Sequence, residues 1–116
     1  MKTIKYVPSV CKGDAPKWQG SIELRLPTFD EKFDYIESME LGVNADGDVD
    51  SSSMHKVRSI RKLVKMSEKH YISVALKSSD GVEIKSFEDM QYEDDMHTVL
   101  AEVSGLMLNG FKVGNV

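Results

Sequence analysis

His70-Tyr71-Ile72-Ser73-Val74-Ala75-Leu76-Lys77, then Ser78-Ser79-Asp80-Gly81, then Val82-Glu83-Ile84-Lys85 is the stretch that decides how this chain folds. The first segment alternates and sets Ile72, Val74 and Leu76 on one face, as a half-buried strand does. The middle four residues are a tight-turn signature, and the last four return as the second strand of a hairpin. A hairpin alone is marginal in water, so its apolar face needs further elements to cover it.

Upstream, Ser53 can cap a helix running to about Lys69. Val57, Ile60, Leu63 and Val64 form its apolar stripe, and Arg58, Arg61, Lys62, Lys65 and Lys69 cluster opposite. Residues 43–53, rich in Asn, Asp, Gly and Ser, read as a loop. Before it, Thr28-Phe29-Asp30-Glu31 is a capping box opening a helix whose recurring Phe29, Phe33 and Ile36 predict an end near Leu41-Gly42. Ser21-Ile22-Glu23-Leu24-Arg25-Leu26 alternates as a strand that Pro27 stops. Residues 1–19 show no clear period and read as an irregular N-terminal arm, although Ile4, Val7, Val10 and Trp18 can add a strand or dock on a neighbour.

Downstream, Ser86-Phe87-Glu88-Asp89 resembles a capped start of a short helical segment. A last helix over about 93–108 has Met96, Val99, Leu100, Val103 and Met107 in register and Asn109-Gly110 as its stop. Gly105 inside it weakens the helix by about 1 kcal/mol relative to Ala or permits a close backbone approach. The expected fold is α+β: three main helices and a small antiparallel sheet from 20–26, 70–77 and 82–86. Residues 20–110 form the domain and 111–116 a tail.

The 116 residues fit one domain, and 41% hydrophobic with 29% charged residues is ordinary globular composition. A net charge of -4 argues against bulk attraction to nucleic acid or anionic lipid. Cys11 is the only cysteine, so no intrachain disulfide forms. The longest apolar stretch, Leu106-Met107-Leu108, is far short of a membrane span, and residues 1–8 lack the apolar run of a signal peptide. These features together predict a cytoplasmic protein.

In Asn44-Ala45-Asp46-Gly47-Asp48-Val49-Asp50, placing Gly47 at the sharp turn of a calcium loop puts Gly42 and Ser53 where the two best carboxylates belong. A solvated connector is the simpler reading. His55, His70 and His97 lie in separate elements without a helical i, i+4 pair, and read as ordinary, partly exposed histidines. No Gly-x-Ser-x-Gly elbow or phosphate-binding glycine loop occurs, so no cofactor, metal or catalytic residue is assigned. The basic face Arg58, Arg61, Lys62, Lys65 and Lys69 is either a solvated surface or a protein contact. Nucleic acid is disfavoured because no aromatic residues interleave with these cations. Seven methionines fill core gaps or make adaptable contact surfaces.

Residues 54–110 resemble the tail assembly chaperones of long-tailed bacteriophages. The likeness lies in the basic amphipathic helix over 57–69, the hairpin around Ser79-Asp80-Gly81, Ser86-Phe87-Glu88-Asp89-Met90, and a last helix closing with Leu108-Asn109-Gly110. Ile22-Glu23-Leu24-Arg25-Leu26-Pro27-Thr28 is similar to the short strand that opens many of these proteins. The resemblance implies a non-catalytic assembly factor in the bacterial host cell. It would coat the tape-measure protein before the tail tube polymerises, and would tend to self-associate. It transfers no binding residues. The rival readings are a virion component, such as a tail-completion or head-tail connector protein, and a small enzyme or regulatory domain with an unmotivated pocket.

Overall fold

The computed structural model describes residues 2–39 and 57–110, with Met39 and residues 57–59 as backbone only. The 43–53 connector, the Ser53 cap, His55, the Arg58 side chain and the 111–116 tail lie outside the described residues. Four strands run β1 Thr3–Tyr6, β2 Trp18–Arg25, β3 Tyr71–Ser78 and β4 Glu83–Ile84. They form one sheet in the order β1-β2-β3-β4, each neighbour antiparallel. The helices are α1 Phe29–Met39, α2 Val57–Ser67, α3 Phe87–Met90 and α4 Asp94–Asn109. The α+β class is as the sequence predicts.

One face of the sheet is apolar: Ile22 and Leu24 of β2, Val74 and Leu76 of β3 and Ile84 of β4 are all buried. Gln19, Glu23, Ser73, Ala75 and Lys77 alternate with them on the exposed face. The helices cover the apolar face, and α4, with Met96, Val99, Val103, Met107 and Leu108 fully buried, packs against both α1 and α2. Gly110 ends α4 at φ 87°, its N–H donating to the Leu106 carbonyl at 2.8 Å.

Several expectations need correction. The arm over 1–19 is in part structured. Tyr6 is buried and pairs with Ile22, a 3-10 turn follows at Ser9–Cys11, and Trp18 opens β2. Four residues are too few for alternation to show in the sequence, and the anchor is remote. The Tyr6 hydroxyl donates to the Glu102 carboxylate, which also accepts from Ser9 Oγ at 2.8 Å and Ser9 N–H at 3.2 Å.

In β3, Ile72 is exposed while Tyr71 turns inward against Phe87. The cause is a register shift: Glu23 pairs with Ser73, but Leu24 pairs with Tyr71. That bulge inverts the parity of the first residues of the strand. β4 stops at Ile84 rather than 86, because the Lys85 N–H donates to Asp89 Oδ2 at 3.0 Å and Ser86 caps α3. Likewise α2 ends at Ser67, and Glu68–His70 tightens into a 3-10 turn.

The capping box of α1 is present: the Thr28 N–H donates to Glu31 Oε1 at 3.0 Å, and the Glu31 N–H to Thr28 Oγ1 at 3.2 Å. The buried face of α1, however, is Tyr35 and Ile36. Phe29 and Phe33 stack on each other at 4.7 Å, outside the core, 75% and 40% exposed.

Candidate functional site

Three polar clusters occur among the described residues, and each ties elements together. The Tyr6–Glu102–Ser9 cluster latches the first strand to α4. Burial and the Glu102 carboxylate push the Cys11 thiol pKa up, the reverse of what an activated nucleophile needs. At the other end, Arg25 holds Glu31 through two parallel bonds of 2.7 and 2.8 Å, and this pairing drives the Glu31 carboxyl well below the usual range. The third cluster links Trp18 Nε1 and Lys17 Nζ to Asp95 Oδ2, at 2.8 and 3.2 Å.

His70 joins the second cluster and departs from expectation, being fully buried. Its Nδ1–H donates to the Arg25 carbonyl at 2.9 Å, which leaves Nε2 to accept from the Tyr35 hydroxyl. Burial lowers its pKa, and the cations Arg25 and Lys69 add to that. This is a satisfied core histidine in its neutral form. His97 is exposed, with Nε2 3.0 Å from the Gln91 carbonyl. No three His, Cys, Asp or Glu side chains converge among the described residues.

A groove of about 790 Å³ lies between α2, α3 and α4. Ile60 and Val64 from α2, Phe87 from α3, and Leu100 and Ala101 from α4 supply its apolar lining. The polar lining is Arg61, Lys65 and Glu68 on the α2 side, with Gln91 and His97 across from them. The walls are fixed where the helices meet. Ser67 and Ser104 hydroxyls lie 3.2 Å apart, so one donates to the other across the helices while the accepting hydroxyl gives its own proton to a carbonyl of its own helix, Val64 or Leu100.

The structure divides the basic face predicted over 58–69. Arg61 and Lys65 border the groove, and neither carries an ion pair among the described residues. Lys62 Nζ instead donates to the Ser38 carbonyl at 2.6 Å. Lys69 Nζ lies 3.6 Å from Glu31 and 5.3 Å from the centre of the Tyr35 ring. Each residue turns the helix by about 100°, so Arg61 and Lys62 diverge to opposite flanks. Arg58 belongs to the same helix, but its side chain is outside the described residues.

The groove is not legible in any local pattern: Leu100 falls on the apolar stripe of α4, and Phe87 follows the Ser86 cap of α3. The one local signal is Ala101, a small residue beside Leu100 that leaves room at the helix surface. No protein-family model, curated protein or solved structure matches this chain. No helix among the described residues is long and apolar enough to cross a membrane.

Proposed function

We propose that this chain is a non-catalytic assembly factor that binds another protein through the groove between α2 and α4. The observation that carries the reading is an apolar floor bordered on the α2 side by Glu68 and by two cations, Arg61 and Lys65, that have no ion-pair partner among the described residues. Such a surface gains free energy by removing apolar area from water, and its charged border selects what covers it. The sequence resemblance to tail assembly chaperones supports the tape-measure protein as the partner and the host cytoplasm as the place of action. The mechanism is stoichiometric: the groove shields an aggregation-prone segment until tail assembly displaces it.

The test is co-expression with a candidate tape-measure protein, followed by pull-down. Val64 is partly exposed in the groove, and Val64→Asp places an unpaired carboxylate on the floor. Capture is expected to fall at least tenfold while the thermal midpoint of the isolated chain stays within a few degrees. Undiminished capture by that variant would remove the groove from the binding reaction.

A further inference from the structure

We infer that the groove's occupant is an amphipathic helix of the partner protein bearing carboxylates on two successive turns of the flank that meets α2. The inference rests on the protein-binding reading above and adds the chemistry of the segment bound.

The apolar lining comes from three helices, with Glu68 and Gln91 added from the turns that follow α2 and α3, so among the described residues no strand edge borders the groove. An extended segment laid there would leave its own N–H and C=O groups without backbone partners, at a cost for each group buried. A helix satisfies its backbone internally and needs only side-chain complementarity. It also packs ridges into the rows of α2 and α4, as a third helix at about 8–10 Å.

Charge then selects the flank. Arg61 and Lys65 stand four residues apart, one turn along the exposed side of α2, so they are neighbours on the helix surface. Carboxylates at i and i+4 of the incoming helix meet both. Glu68, a further turn along, calls for a base next on the same flank. Across the groove, Gln91 is uncharged and His97 makes its bond to a backbone carbonyl, so the second flank needs no fixed charge. From Ile60 to Glu68 the wall rises about 12 Å, which matches roughly two turns of a partner helix.

The experiment uses the full chain and two fluorescein-labelled peptides of about fourteen residues with the same leucine face. One carries Glu at i and i+4 of one flank, and the other carries Lys there. Anisotropy at low salt is expected to show the Glu peptide bound about tenfold more tightly. The double variant Arg61→Glu/Lys65→Glu should reverse that order, which mere loss of folding cannot do. Ala101→Trp, which fills the groove, should abolish both interactions with circular dichroism unchanged. Equal binding of the two peptides, or an unreversed preference in the double variant, would overturn the inference. So would a stable homodimer that excludes both peptides, since the occupant is then a second copy. If neither peptide binds while the tape-measure protein is still captured, the helical occupant is wrong and the protein-binding reading stands. If the Glu peptide binds and capture fails, the groove's chemistry stands and the tape-measure assignment falls.

Discussion

Gly20 lets β2 and β3 approach more closely than a side chain would permit, so Gly20→Ala should destabilise the sheet. It lies in β2 opposite Leu76, with φ 127°, a conformation that L residues rarely adopt. A Cβ at this position would sit 1.9 Å from the Ala75 carbonyl oxygen and 2.9 Å from its carbon. Ordinary contact begins near 3.4 Å, so a backbone oxygen in the adjacent strand must retreat by about 1.5 Å. The strained φ costs about 1–2 kcal/mol. A retreat of that size breaks roughly two ladder bonds at about 1 kcal/mol each. The expected loss is about 3–4 kcal/mol, a large part of the stability of any domain this size. Urea titration followed by circular dichroism measures it, and the thermal midpoint should fall by roughly 15 °C. A semisynthetic chain with D-alanine at position 20 supplies the control, because a D residue accepts this φ and directs its methyl group away from the Ala75 oxygen. A Gly20→Ala loss below about 1 kcal/mol would refute the argument from close approach.

Two further outcomes follow from buried polar groups. The Tyr71 hydroxyl is buried without a hydrogen-bond partner among the described residues, and burial, with Glu102 adding to it, raises its pKa. Tyr71→Phe is therefore expected to raise stability by about 1 kcal/mol, as read by the urea midpoint, and a loss would show that the hydroxyl is satisfied. His70 has its pKa lowered by burial, so between its folded value and the unfolded value near 6.5 the unfolded chain binds more protons. Its contribution is complete above pH 6.5 and is lost as pH falls below that value. Stability measured from pH 7.5 to 5 should decline, and His70→Asn, though less stable at pH 7.5, should show a flatter slope. An unchanged slope would assign the decline to other groups.

Much of the fold is legible because local chemistry and packing agree. The Thr28–Glu31 box, the Ser78–Gly81 turn and the α4 stripe from Met96 to Met107 each carry their own signal, and each forms as read. The failures share one cause, which is action at a distance in sequence. Tyr6 is placed by Glu102, ninety-six residues away. Ile72 is turned outward by a bulge whose partner residues are Glu23 and Leu24. Phe29 and Phe33 keep helical spacing with Ile36, yet Tyr35 takes the core because His70 and Lys69 meet it there. The groove is the extreme case, since its apolar lining comes from three helices whose spacing is invisible until they pack.

The divided basic face explains why a groove can exist beside so charged a helix. Around α2, Leu63 and Ser67 face the core, Ile60 and Val64 the groove, Arg61 and Lys65 its border, and Lys62 the α1 side. Were the cations all solvated, α2 would be held by its apolar stripe alone, and exposing Ile60 and Val64 would weaken that hold. Lys62 on the Ser38 carbonyl and Lys69 beside Glu31 attach the opposite flank to α1 instead. The Ser67–Ser104 contact fixes α2 against α4. With its walls set before any partner arrives, the groove avoids much of the ordering cost that a mobile surface meets on binding. The same attachments make the two halves of the face separable by mutation. Lys62→Met should act on the melting temperature and leave peptide affinity within about twofold, whereas Lys65→Met should act on affinity and leave the melting temperature nearly unchanged. A Lys62→Met variant that loses affinity as strongly as Lys65→Met would mean that the face works as a single surface, against the division described.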